Sequence, residues 1–83
     1  MVMREREILI DEIYIPMKRR HTLDPQRVTA LAEDILANGQ RNPIWVRCDD
    51  ARYVLVEGLY RLEACKALGE RTIKAVFVQA RQF

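Results

Sequence analysis

Serine is absent from this 83-residue chain, and histidine occurs once, at His21, with no serine or cysteine beside it in sequence. Nucleophilic catalysis by a serine–histidine pair therefore finds little support. The two cysteines, Cys48 and Cys65, are not in CxxC spacing, and with a single histidine a structural zinc site would lack ligands. Both are expected to be reduced, mostly buried thiols of a cytoplasmic protein. Cys65 shares a helical stripe with Leu62 and Leu68, which makes it core rather than reagent. No apolar run approaches the roughly 20 residues needed to cross a bilayer, so no membrane partner is expected. The charged start, Met1 to Glu7, has no apolar segment of the kind a signal peptide carries. Charge of one sign is also missing. Fourteen Lys and Arg against twelve Asp and Glu leave a net +2, and only Lys18-Arg19-Arg20-His21 forms a basic cluster.

What is present is the balance of an ordinary soluble globular protein, 49% apolar and 31% charged. A chain of this length holds one domain, residues 1–83, and buries only about 60–70% of the surface its unfolded form exposes. Ile8, Ile10, Ile13 and Ile15 predict one strand, bent at Asp11-Glu12 and closed by Pro16. Met17 to Thr22 predicts a basic loop. Asp24 as N-cap and Pro25 at the first helical position open a helix whose stripe is Val28, Leu31, Ala32, Ile35 and Leu36, ended by Gly39. Pro43 begins a strand, Ile44 to Cys48. Asp49 to Arg52 make a hairpin connection, where the two aspartates are turn formers rather than Mg²⁺ ligands. Tyr53 to Glu57, apolar on both faces, forms a central partner strand. Trp45 and Tyr53 are expected to pack across strands. Gly58 opens a second helix through Leu68, capped by Gly69, and Thr72 to Val78 is a closing strand. The fold class is α/β (α+β): a small mixed β-sheet with two main helices, in the order β-α-β-β-α-β.

The junction Val56-Glu57-Gly58-Leu59-Tyr60-Arg61 is the most informative local feature. A glycine where a strand gives way to a helix lets a ligand approach the backbone closely. The first N–H groups of that helix have no internal partners and sit at the positive end of its dipole, which favours an anion. Arg61 in the first turn opposes that dipole at a cost of about 0.3–1 kcal/mol, a sign that a bound phosphate reverses. The plain alternative is an i,i+4 pair between Glu57 and Arg61, worth a few tenths of a kcal/mol. Lys18, Arg19, Arg20 and Arg27 are candidates to clamp phosphates from the opposite side, or else form a solvated basic surface. The polar run Asn38 to Pro43, with Asn42, either lines the same cleft or is a plain loop.

The order Ile15-Pro16, Leu23-Asp24-Pro25, Val28, Leu31, Pro43-Ile44, Val46, Tyr53, Gly58, Arg61, Ala64, Thr72-Ile73, Ala75 and Val78-Gln79 resembles the sulfiredoxin fold. Leu31-Ala32-Glu33-Asp34-Ile35, Asn42-Pro43-Ile44 and Glu57-Gly58-Leu59-Tyr60-Arg61 resemble signatures of the ParB N-terminal domain, which shares that layout, and the resemblance covers residues 8–79. It implies a nucleotide site. The sulfiredoxin turn Gly-Cys-His-Arg binds ATP phosphates and the ParB turn Gly-Glu-Arg-Arg binds CTP phosphates; both fall on Gly58-Leu59-Tyr60-Arg61. Leu59 stands where sulfiredoxin has its reactive cysteine, which argues against sulfinic-acid reduction. Tyr60 replaces a histidine or arginine and weakens the triphosphate contacts. Arg27 falls at a basic, nucleotide-contacting position of sulfiredoxin, and Arg19 or Arg20 at the basic residue of the first ParB motif. Some relatives are phosphotransferases using free serine and others are nucleases.

Three readings follow. The first is a nucleotide-binding module for ATP or CTP, with or without Mg²⁺, that turns over slowly as an NTPase or phosphotransferase if it is an enzyme. Gly58, Leu59, Tyr60, Arg61, Arg19, Arg20, Arg27 and Asn42 would hold the phosphates, and Glu57 would contact Mg²⁺ or activate water. The second is an accessory factor of a partition, plasmid or other DNA-associated system, working with a larger regulatory protein or touching DNA non-specifically. The third is a ligand-free protein-interaction domain, suggested by Leu59 and Tyr60.

Overall fold

The computed structural model describes residues 4–16 and 23–78, so the basic loop with Lys18, Arg19 and Arg20 lies outside the described residues. Strand β1 (Glu5–Leu9) is followed by a 3₁₀ turn (Ile10–Glu12) and a short strand β2 (Ile13–Tyr14). Helix α1 (Pro25–Asn38), strands β3 (Ile44–Asp49) and β4 (Arg52–Glu57), helix α2 (Leu59–Ala67) and strand β5 (Thr72–Phe77) complete the order. The sheet runs β1-β5-β3-β4-β2. Its β3–β5 and β2–β4 pairs are parallel and its β1–β5 and β3–β4 pairs antiparallel, which makes it the mixed sheet expected.

The isoleucine-rich start is two strands rather than one bent strand. Asp11-Glu12 lie in the 3₁₀ turn, and β1 and β2 end up on opposite edges of the sheet. In a flat five-stranded sheet those edges stand about 19 Å apart, four spacings of roughly 4.8 Å. The four steps from Leu9 to Ile13 can span at most about 14 Å. The sheet must therefore curl, and Ile8, Ile10 and Ile13 meet in one core. The Ile10 N–H ties the turn down by donating to the Arg71 carbonyl at 2.9 Å.

Alternation sorts β3, β4 and β5 into two faces. Ile44, Val46, Leu55, Ile73 and Ala75 point to the helix side, where they join Leu62 and Cys65 of α2. Tyr53 packs edge-to-face on Phe77 on the same side, with ring centroids 5.4 Å apart. Strand β4 is flanked on both sides as its apolar run requires, although β3 is the middle strand. Two residues of β3 stand more exposed than the core beside them. Trp45, in register with Glu57 and Val76, is 43% exposed because it faces away from the helices. Cys48, expected to be a mostly buried thiol, is instead exposed, because it sits at the far end of β3 beside the hairpin turn.

Asp24 caps α1 as expected, its Oδ1 accepting from the Gln26 N–H at 3.0 Å. The helix leans chiefly on α2, so its buried stripe is narrower than the periodicity suggests. Ala32 is buried; Val28, Leu31 and Ile35 are half-buried; Leu36 is 75% exposed.

Gly58 joins β4 to α2 with φ of 107°, in the left-handed region. A Cβ placed there would lie 2.8 Å from Ile44 Cγ2 and 3.3 Å from the Ile44 Cα. Ile44 is fully buried and cannot withdraw. Gly58→Ala is therefore expected to lower the unfolding free energy by about 2–4 kcal/mol, from backbone strain and overpacking together. Urea titration of the two proteins measures this, and equal midpoints would refute the close approach.

Candidate functional site

The start of α2 follows from its glycine. No side chain caps the helix, and the N–H groups of Leu59, Tyr60 and Arg61 precede its first intrahelical bond, from the Leu62 N–H to the Gly58 carbonyl at 2.9 Å. The Leu59 side chain turns inward against the core. Tyr60 and Arg61 turn outward toward α1 and the segment before β3, where two neighbouring hollows open. One, of about 370 Å³, is lined by Arg27, Ala30, Leu31, Asp34 and Tyr60. The other, of about 310 Å³, brings Arg61 and Asn42 together with Gln40, Arg41 and Asp34. Leu31 and Asp34 belong to both, so the two form one cleft.

Each wall has a local cause. The Arg61 Nη1 donates to the Pro43 carbonyl at 3.1 Å, and the remaining guanidinium donors have no partner among the described residues. Pro43 is held in place by Gln40. Its Oε1 accepts from the Lys74 N–H at 2.8 Å, while its Nε2 donates to the Lys74 carbonyl at 2.9 Å and the Asn42 carbonyl at 3.0 Å. The Gln40 amide thus occupies the place of a strand neighbour on β5, just before Ile44 takes up backbone pairing with Ala75. On the other wall the Tyr60 hydroxyl accepts from the Asp24 N–H at 2.9 Å, and the Arg27 guanidinium lies 4.2 Å from the centre of the Tyr60 ring. That stack is worth about 0.5–1 kcal/mol at an exposed site. Between the walls, Asp34 Oδ1 accepts from Arg41 Nη2 at 2.7 Å and from Asn38 Nδ2 at 3.0 Å. Those two hydrogen bonds, Arg41's the larger, hold the Asp34 carboxyl below the ordinary carboxylate range, and Asp34 raises Arg41 in return.

Of the residues expected at a phosphate site, Arg27, Asn42, Tyr60 and Arg61 line the cleft, whereas Gly58 and Leu59 stand just before them at the start of α2 and line neither hollow. Arg19 and Arg20 fall outside the described residues. Glu57 is exposed at the end of β4 and lines neither hollow. Three residues of the cleft were given no role of their own by the sequence: Asp34, Gln40 and Arg41. The signal for Gln40 and Arg41 was a polar run leading into a buried strand; Asp34 showed as a helix residue off the apolar stripe, within the segment Leu31 to Ile35 that resembles a ParB signature.

Other chemistry finds less support. Another hollow, of about 600 Å³, lies between β2 and the β3–β4 turn, with Asp11, Glu12 and Asp50 on its walls. Its cation, Arg52, stacks 4.0 Å from the Tyr14 ring. The acids there repel phosphate. Cys65 is buried, and burial, with the charge of Glu70 adding and that of Arg61 opposing, pushes its thiol up, away from the reactive thiolate. Asp50 sits in the hairpin turn at φ of 57°, as a turn former should. Among the described residues no three His, Cys, Asp or Glu converge on a metal position, and no helix is long and apolar enough to cross a membrane.

Comparison with known proteins agrees with this architecture. Sulfiredoxin from Arabidopsis thaliana superposes with a TM-score of 0.85 at 28% identity, over 93% of this chain and 86% of that one. The C-terminally truncated chromosome-partitioning protein ParB from Caulobacter crescentus, complexed with CTP-γ-S, gives 0.82 at 24% identity, over 95% of this chain and 46% of that one. The same protein complexed to the centromeric parS site gives 0.80 at 23% identity, over 93% and 42%. A free serine kinase variant in complex with AMP gives 0.76 at 18% identity, over 92% and 31%. The chain spans less than half the length of the ParB and kinase chains, and at these identities the likeness to them is one of fold. No curated protein sequence matches significantly. The sequence profile of the ParB N-terminal domain matches residues 2–82, so the chain belongs to the ParB N-terminal domain family and folds as ParB and sulfiredoxin domains do.

Proposed function

We propose that this domain binds a nucleoside triphosphate, ATP or CTP, with its phosphates at the start of α2. One observation carries the reading: an uncapped helix start on a left-handed glycine, beside a guanidinium that gives one donor to the Pro43 carbonyl and keeps the others for the cleft. The nucleotides held by the ParB and kinase structures support it by analogy of fold. Tyr60 in place of a motif arginine does not leave the cleft short of charge, because Arg27 is laid on its ring from α1. In this reading Mg²⁺ enters on the phosphates with several of its own waters. Glu57, next to Gly58, is the candidate to contact it, and hydrolysis as an NTPase is slow. The setting is a cytoplasmic, DNA-associated regulatory or partition system, in which a larger protein supplies sequence-specific recognition.

Isothermal titration with ATP and CTP, with and without Mg²⁺, is expected to give saturable heat with at least one of the two. No heat with either at millimolar concentration removes the reading. Arg61→Ala is expected to weaken the binding about 10- to 100-fold, as loss of a charge-assisted hydrogen bond does. Affinity within twofold of the wild type would show that the guanidinium does not touch phosphate.

A second reading, a ligand-free interaction domain, is favoured by the way Arg27 with Tyr60 and Arg41 with Asp34 already partner each other. It predicts that Arg61→Ala leaves every binding partner intact in a pull-down, whereas loss of a partner together with nucleotide binding speaks against it. Non-specific DNA contact through Lys18, Arg19 and Arg20 predicts affinity that falls steeply with salt. A gel-shift affinity unchanged between low and physiological salt would rule that contact out.

A further inference from the structure

The cleft that carries two arginines toward a phosphate also carries one carboxylate, and the contacts of that carboxylate are lopsided. Asp34 Oδ1 takes both donors, Arg41 Nη2 at 2.7 Å and Asn38 Nδ2 at 3.0 Å. Asp34 Oδ2 has no partner among the described residues, and the side chain stays 37% exposed on the wall that the two hollows share. Two donors on one oxygen fix the plane of the group. What remains is an oriented acceptor, aimed by a helix and a guanidinium rather than by solvent.

An anion cannot rest against that oxygen. A ligand lying along the cleft with its phosphates at Arg61 and the α2 N–H groups must bring a different chemistry to Asp34, and an acceptor-only group takes hydrogen-bond donors. A nucleotide has two kinds of donor outside its phosphates: the hydroxyls of the sugar and the exocyclic amino group of adenine or cytosine. We propose that Asp34 is a specificity-determining residue that accepts a hydrogen bond from such a donor on the ligand. The proposal rests on the nucleotide reading and adds a direction to it: phosphates toward Arg61, a hydroxyl or amino donor toward Asp34.

Asp34→Asn tests it with little disturbance. The asparagine oxygen can still accept from Arg41 and Asn38, while the atom at the Oδ2 position becomes a donor. Titrations with the full chain compare CTP and ATP with their 2′,3′-dideoxy forms, which lack the hydroxyls, and with UTP and ITP, in which the amino group is a carbonyl. The wild type is expected to bind one analogue series about tenfold more weakly than the parent, the loss that accompanies one hydrogen bond to a charged group. Loss in the dideoxy series assigns the sugar, and loss in the carbonyl series assigns the base. Asp34→Asn is expected to abolish that preference, or to reverse it in the carbonyl series. Thermal melting reports whether the variant is folded; if it is not, Asp34→Ala reads the same ratio. A wild type that favours the parent over neither series, or a folded variant with the wild-type ratios within twofold, overturns the proposal alone. A wild type that binds no nucleotide overturns the nucleotide reading together with it.

Discussion

The packing of Gly58 under Ile44 is the contact on which the rest of the molecule turns. A glycine at φ of 107° lets β4 pass straight into α2, and the missing Cβ lets Ile44, the first residue of β3, settle on the junction. Strand β3 is thereby held between β4 and β5, and Leu62, one helical turn on, is driven into the same core. The geometry that seals the hydrophobic side leaves the first N–H groups of α2 without a capping side chain. Stability and the proposed binding site thus come from one backbone conformation.

A chain of polar contacts then carries order from the sheet to the cleft. Lys74 on β5 holds Gln40, Gln40 positions the segment that ends in Pro43, and the Pro43 carbonyl fixes Arg61. Each bond is worth about 0.5–1.5 kcal/mol, but their effect is geometric. A guanidinium on the first turn of a helix opposes the dipole, and without a fixed acceptor it would swing into solvent. On the other wall Tyr60 serves two ends at once, receiving the Asp24 N–H at the start of α1 and supporting the Arg27 guanidinium. Helix α2 thus meets the cleft in its first turn, through Tyr60 and Arg61, whereas α1 runs along it from Arg27 to Ile35.

Much of this was legible in the residues, and the failures have physical reasons. Asp24-Pro25 and Gly39 marked α1 to the residue, because caps are local chemistry. Strands β3, β4 and β5 and the glycine junction were also readable from alternation and punctuation. The early isoleucines were misjudged as one strand, since nothing local reveals that three residues cross from one edge of a curled sheet to the other. Leu36, Trp45 and Cys48 look like core in sequence and stand exposed, because burial depends on which neighbour happens to reach them. The cleft was half visible. Gly58 and Arg61 announced themselves, whereas Gln40, Arg41 and Asp34 act through partners 34, 7 and 4 residues away that only folding brings into register.

The most direct test of the account is a nitrogen–proton correlation spectrum recorded while CTP or ATP is added to the folded domain. Saturable shifts that are largest at the backbone amides of Leu59, Tyr60 and Arg61 are predicted, with smaller ones at Arg27 and Asn42. Shifts that leave those three amides in place while moving residues elsewhere on the sheet would contradict it.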